Sequence, residues 1–227
     1  MATLILKDDI PHEQVGEIMR KLGLELEVPS DDPSELPEDL FLQTWQTPDR
    51  QSSVQFIDDS FTQVHSVSTL GAEEDALADK LEEALPVWEW GRLLSHAEAL
   101  RKDGSDSARQ RVAYEVAFEM NGNGFDPAGA EVLNAFLQES KPSIRLAGAR
   151  AFRVLNWRRF RLMAERLAAD SDPAIAEEGD IWLEDIRELH GDEQPNPMTD
   201  SLFGSNGDGT FGSWLPAGEQ RKESGEE

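Results

Sequence analysis

The hydrophobic pattern of the chain changes at Pro86, and this change limits the fold more than any other feature. Before Pro86, short apolar runs rich in β-forming residues alternate with acidic or proline-containing turns, as in strands and short helices. After it, apolar residues recur at helical spacing as far as about residue 190, and no run favours a strand. The sequence therefore predicts a small α+β domain over residues 1–88, an all-α domain over 89–190 and an acidic, Gly- and Ser-rich tail over 191–227.

The first domain is predicted to have the order β-α-β-β-β-α, with two helices on one face of a sheet. Val54 and Phe56 alternate as in a strand with one buried side. Val64 and Val67 lie three residues apart, so the last strand requires either a bulge or a change of face. The predicted strands cover residues 3–7, 41–47, 52–58 and 61–70, and the predicted helices cover residues 11–22 and 71–85.

Six helices, which make three hairpins, are predicted in the second domain. They cover residues 89–102, 106–120, 127–139, 142–155, 157–169 and 173–189. Comparison of this region with itself at an offset of 34 residues pairs Arg111 with Arg145 and Phe118 with Phe152. Matches of this kind, at the start of the second helix of a pair, indicate an internal repeat.

The helical region resembles the HEAT-repeat family, whose units place a proline and an arginine near the start of the inner helix. Pro142 and Arg145 stand in that arrangement, and Pro173 matches Pro142 at an offset of 31 residues. The resemblance covers about 100 residues. It departs from the pattern in the first unit, which has Ser107 and Ala108 where a proline is expected, and in the third, which has Ala176 in place of the arginine. The resemblance implies a stack of about three helix pairs with a concave surface that holds partners. An ordinary helical bundle is the alternative.

Arginine and aromatic residues are concentrated in the middle of the helical region. Residues 89–169 carry 13 basic and 10 acidic side chains, whereas residues 1–88 carry 5 and 20, and residues 170–227 carry 3 and 16. Arginine beside aromatic residues is favoured at protein interfaces, which predicts a docking site for an acidic protein segment. The alternative is that these arginines pair with the chain's own acids, among them Glu165 and Glu178. The candidate partner-binding residues are Arg145, Arg150, Arg153, Trp157, Arg158, Arg159, Phe160 and Arg161.

The tail has a composition that predicts disorder, because it cannot bury enough apolar surface to fold by itself. Two apolar clusters interrupt it. We expect them either to act as a peptide ligand, for another protein or for the chain's own groove, or to cover an exposed edge of the helical stack. The clusters contain Leu202 and Phe203, and then Phe211, Trp214 and Leu215.

No pattern of residues predicts catalysis, a metal site or a cofactor. The chain has no cysteine, which excludes disulfides and thiolate chemistry. The four histidines, His12, His65, His96 and His190, lack the spacing of metal ligands, and no nucleophile, phosphate-binding or dinucleotide-binding motif is present. We therefore expect a protein that is not an enzyme and that takes no cofactor.

The acidity of the chain limits its partners. A net charge of −25 opposes binding to nucleic acids and to anionic membranes. The apolar run Ala2–Leu6 is too short for a signal peptide or a membrane span, so we expect a cytoplasmic protein. The leading expectation is a non-catalytic adaptor or assembly factor that binds another protein through the helical-repeat surface. The alternative is an acidic inhibitor or immunity protein that binds a basic toxin or nuclease.

Overall fold

The computed structural model describes residues 2–7, 10–27 and 40–191, and it confirms an α+β domain followed by a helical region. The strands are β1 (Ala2–Ile5), β2 (Glu25–Leu26), β3 (Leu40–Gln46), β4 (Ser52–Asp59) and β5 (Val64–Gly71). The helices are α1 (His12–Lys21), α2 (Glu74–Ala84), α3 (Trp90–Asp103), α4 (Asp106–Asn123), α5 (Pro127–Leu137), α6 (Pro142–Leu155), α7 (Arg161–Ala168) and α8 (Pro173–His190).

The five strands form one antiparallel sheet in the order β1-β5-β4-β3-β2. The predicted order of strands and helices is confirmed, and β2 is an addition to it. This strand has only two residues, both exposed, so it carries no apolar pattern. It forms because Gly23, at φ +80°, turns the chain back after α1 and brings Glu25 and Leu26 opposite Gln46 and Trp45.

Strand β5 is buried on both faces, which explains the spacing of its two valines. Its ladder to β4 runs without a bulge from the pair Val64–Asp59 to the pair Gly71–Ser52. Val64 and Val67 therefore point to opposite sides of the sheet. Val67 belongs to the core formed with α1 and α2, and Val64 belongs to the core of the helical region. Of the two possibilities left open by the sequence, the change of face is correct.

The core of the α+β domain lies between one face of the sheet and helices α1 and α2. Met19 of α1 and Leu81 of α2 are fully buried there. They pack with the sheet residues Trp45 and Phe56, which are also buried. On its opposite face the sheet, at β1 and β5, meets helix α4. The α+β domain and the helical region are thus in direct contact.

The six helices of the second region pack in consecutive pairs, α3 with α4, α5 with α6, and α7 with α8. Helix α6, the second of its pair, also packs against both α4 and α8. Aromatic rings fill the space between the last two pairs, and the Phe152 ring centroid lies 5.8 Å from that of Trp182. The predicted helices are confirmed except at α7, which begins later because Asn156 in the left-handed conformation ends α6 and a 3₁₀ turn, Arg158–Phe160, follows. No helix of the described ranges is both long enough and apolar enough to cross a membrane.

Candidate functional site

A cleft of about 320 Å³ opens where the turn between β4 and β5 meets helices α4, α6 and α8. We call it the inner cleft. It is built from both regions of the chain, since the turn belongs to the α+β domain and the helices to the second region. Its lining residues are Asp59, Phe61 and Thr62 of the turn, Tyr114 and Phe118 of α4, Arg150, Arg153, Val154 and Asn156 at the end of α6, and Glu178 and Asp185 of α8.

The turn that carries Phe61 is held by hydrogen bonds at both ends. Asp59 Oδ1 accepts from the backbone N–H groups of Phe61, at 2.9 Å, and of Thr62, at 3.2 Å. Gln63 has a positive φ of 60°, and its Oε1 accepts from Ser107 Oγ of α4 at 3.1 Å. The Phe61 side chain is thereby kept at the mouth of the cleft, where the residue is 57% exposed. An exposed aromatic residue on a fixed turn is available to a partner.

Tyr114 and Phe118 add two more aromatic rings to the cleft. The Tyr114 ring centroid lies 6.4 Å from that of Phe61 and 6.3 Å from that of Phe118. Burial raises the pKa of Tyr114 to about 12, so its hydroxyl stays protonated at neutral pH. Tyr114 is only 3% exposed and supports the ring of Phe61 from within the core. The apolar surface open to an aliphatic or aromatic side chain is therefore formed by Phe61 and the partly exposed Phe118.

Arg150 and Arg153 line the cleft, and both are bound to acids of α8. Arg150 donates from Nε to Glu178 Oε1 at 2.8 Å. Arg153 donates from Nη1 to Glu178 Oε2 at 3.1 Å and from Nε to Asp185 Oδ2 at 3.0 Å. The basic middle of the chain and its acidic C-terminal flank therefore neutralise each other here. Within the ranges that the structure describes, the two terminal nitrogens of Arg150 have no such bond.

Three other predicted binding residues lie outside the cleft and also have intramolecular contacts. Arg145 donates to two backbone carbonyl groups just after α5 and lies 3.4 Å from Asp170. Arg161 is mostly buried and lies 3.3 Å from Glu165. Arg158 also takes part in an interaction within the chain. Arg145 and Arg161 thus pair with acidic residues of the chain itself, which is the alternative to docking that the sequence left open.

The aromatic residues predicted in this segment serve mainly to join the second and third helix pairs. Trp157 stacks on Phe160 with ring centroids 5.6 Å apart, and Phe125 contacts both rings. Phe160 is only 1% exposed, so it packs in the core and offers no surface to a partner. The Arg159 guanidinium lies 4.2 Å from the centroid of Phe125, within the range of a cation–π contact.

The structure brings together two histidines that sequence reasoning treated as separate. His12 Nε2 of α1 lies 2.6 Å from Asp58 Oδ2, and His65 Nε2 of β5 lies 3.0 Å from Asp58 Oδ1. A carboxylate oxygen accepts in these contacts, so the matching tautomers are those in which each Nε2–H donates a hydrogen bond to Asp58. The ring of His12 also stacks on Phe41 at 4.0 Å. The register of β4 and β5 in the structure places Asp58 opposite His65, and no spacing of residues in the sequence indicated this cluster.

No protein-family model, curated protein or solved structure matches this chain. The HEAT-like resemblance therefore stays a prediction from the sequence. Among residues 2–7, 10–27 and 40–191, no three His, Asp or Glu side chains are arranged to hold a metal ion. The predicted binding residues of the tail lie outside the described residues; they are Leu202, Phe203, Phe211, Trp214 and Leu215.

Proposed function

We propose that this protein is a non-catalytic adaptor or assembly factor that holds a segment of another protein in the inner cleft. The observation that supports this is Phe61, which is 57% exposed at the mouth of a cleft with two further aromatic rings. Aromatic residues beside arginine are typical of the residues that dominate binding energy at interfaces. We also propose that the helix pairs form a HEAT-like stack, whose inner helices supply the binding surface. A cytoplasmic location fits a chain without cysteine.

The partner segment is expected to bring an apolar or aromatic side chain into the cleft. Arg150 and Arg153 are already bound to Glu178 and Asp185, so an acidic partner gains less from them than from unpaired arginines. An acidic residue next to the apolar anchor would still meet the terminal nitrogens of Arg150. Because the anchor is apolar, binding should depend only weakly on salt concentration.

Phe61→Asp tests this proposal without removing a core residue. Leu26→Asp is the matched control, because Leu26 is a similarly exposed apolar residue, 48% against 57%, on β2 and outside the cleft. Wild type and both full-length variants are used for affinity capture from source lysate, followed by quantitative mass spectrometry. Loss of a central aromatic contact costs about 2 kcal/mol or more, which corresponds to roughly 30-fold in affinity.

The expected result is a protein that wild type and Leu26→Asp retain equally and that Phe61→Asp loses. Equal retention by Phe61→Asp would overturn the proposal. A truncated variant that ends at Gly191 is tested in the same experiment. A partner lost only with that truncation would move recognition to the tail.

A second candidate function is an acidic inhibitor of a basic protein, and helix α8 favours it. Four exposed acids, spaced three or four residues apart, share one side of this helix: Glu177, Asp180, Glu184 and Glu188. Such a stripe attracts a cationic surface, most strongly at low salt. Substituting all four with glutamine should abolish salt-sensitive capture of a basic partner and leave capture through Phe61 intact. Loss of the partner with Phe61→Asp alone would argue against the inhibitor.

A further inference from the structure

The outer edge of β1 is closed by helix α4 and by the segment that follows α2. The side-chain amide of Asn123 donates from Nδ2 to the Thr3 carbonyl at 2.8 Å and accepts at Oδ1 from the Thr3 N–H at 3.1 Å. The Trp88 N–H donates to the Ile5 carbonyl at 2.8 Å. An edge strand would otherwise leave these backbone groups open to pairing with another chain. We call the contact between β1 and α4 the seam.

Glu119 of α4 lies in the seam with one carboxylate oxygen unsatisfied. Its Oε1 accepts from Asn123 Nδ2 at 2.8 Å. Its Oε2 is buried and forms no close hydrogen bond among the residues described, and the further donor that acts on the carboxylate is the Ile5 backbone N–H of β1. Glu115, one turn earlier, is also buried but lies 3.0 Å from Arg111 Nε. The two carboxylates thus differ in whether a cation compensates their charge.

The charged side chain that faces Glu119 from a neighbouring element is another carboxylate. Strand β1 has no ionisable side chain, and helix α2 brings Glu82. Burial raises the pKa of Glu119 to about 7, and the negative charge of Glu82 also raises it. The hydrogen bonds that the carboxylate accepts from Asn123 and from the Ile5 backbone N–H act in the opposite direction and lower the pKa. Glu119 therefore gains and loses its proton near neutral pH.

We propose that Glu119 is a proton-operated latch on the seam, which holds β1 against α4 when protonated and weakens that contact when ionised. Ionisation places a charge on a carboxylate that is largely removed from water and has a buried oxygen without a close hydrogen bond, which is costly. The charge is also repelled by Glu82 and sits beside the Asn123 amide that closes the edge of β1. The latch concerns the seam alone and does not require a partner in the inner cleft.

The direction of the pH effect follows from the two protonation equilibria. The folded protein binds the Glu119 proton more tightly than the unfolded chain does, because in the unfolded chain the carboxyl group has its ordinary pKa of 4.5. The resulting stabilisation is complete below about pH 4.5 and is lost as the pH rises through about 7. From pH 5 to pH 8, this group should raise the unfolding equilibrium constant by about ten- to a hundredfold.

Urea unfolding of the full-length wild type and of Glu119→Gln, between pH 5 and pH 8, tests the latch. Glutamine keeps the acceptor for Asn123 and cannot ionise. The ratio of unfolding constants, wild type over variant, is expected to rise by about ten- to a hundredfold across this range. Glu83→Gln, at an exposed position of α2, is the matched control and should give a constant ratio. A constant ratio for Glu119→Gln would overturn the proposal.

Hydrogen exchange of the wild type gives a second measurement that requires no variant. The protection factors of the β1 amides, corrected for the intrinsic exchange rate, should be lower at pH 8 than at pH 6. Those of the β3 and β4 amides should fall by less, and by no more than the fall in global stability, because these strands lie away from the seam. Unchanged protection of β1, or an equal loss in all three strands, would contradict a latch at this place.

Discussion

Gly122→Ala is expected to destabilise the protein, although alanine normally favours a helix over glycine. Gly122 lies in the last turn of α4, where a Cβ atom would stand 2.1 Å from Thr3 Oγ1 and 2.2 Å from Thr3 Cβ. Either the seam must open by about 1 Å, or Thr3 must turn and lose its 3.0 Å contact with Ser68 Oγ. Overpacking of this kind costs about 1–3 kcal/mol, against a gain of about 0.5–1 kcal/mol for replacing a helical glycine. We expect a net loss of about 1–2 kcal/mol in the free energy of unfolding.

Urea unfolding followed by tryptophan fluorescence measures this change. Gly91→Ala is the matched control, because Gly91 lies in helix α3 and an added Cβ there would have nothing within 4 Å. The control should leave stability unchanged or raise it by up to about 1 kcal/mol. If Gly122→Ala proved as stable as Gly91→Ala, the close approach of α4 to β1 would be refuted.

Two further substitutions are expected to lower stability in the same assay. Asp58→Asn removes the charged acceptor shared by His12 and His65 and should lower the free energy of unfolding by about 1–3 kcal/mol. Unchanged stability would show that this cluster does not hold α1 against the sheet. Asp126→Ala removes the acceptor for the Gly129 N–H at the start of α5 and should cost about 1 kcal/mol, so a loss within experimental error would contradict the cap.

The helix boundaries were predictable because local chemistry marks them. Pro142 and Pro173 occupy the first turns of α6 and α8, where a proline lacks no helical hydrogen bond. The late start of α7 was not predictable, since it depends on the left-handed conformation of Asn156. Strand β2 was missed for a similar reason. Its two exposed residues are placed by pairing with β3, and no pattern of their own indicates a strand.

The candidate site was predicted only in part, because its walls come from distant parts of the sequence. Arg150 and Arg153 line the same cleft because residues three apart share a helix face, and their binding to a partner stays a prediction. Their pairing with α8 follows the charge distribution of the chain, in which a basic middle precedes an acidic flank. Phe61, by contrast, sits in the turn between two strands, and only the packing of the sheet against α4 brings it to the same cleft as Arg150. No local pattern connects these residues.

The role proposed for Glu119 could not be predicted from the sequence either. Glu115 and Glu119 are the same residue type and lie one helical turn apart in α4. They differ in their neighbours: Glu115 pairs with Arg111 of the same helix, whereas Glu119 meets the carboxylate Glu82 of α2. The i,i+4 spacing of Arg111 and Glu115 is visible in the sequence, whereas the burial of Glu119 and its approach to Glu82 arise only from tertiary packing.

A photo-crosslinking amino acid placed at Phe61 in the full-length chain shows directly whether a partner protein binds at the inner cleft. The same amino acid at Leu26 is the control, since that position is nearly as exposed and lies outside the inner cleft. After irradiation in source lysate, mass spectrometry identifies the attached protein and the position of attachment. If a partner binds in the inner cleft, position 61 should form an adduct with a segment that has an apolar or aromatic residue, and position 26 should form none with that protein. Equal adducts from both positions, or none from position 61, would contradict binding at this cleft.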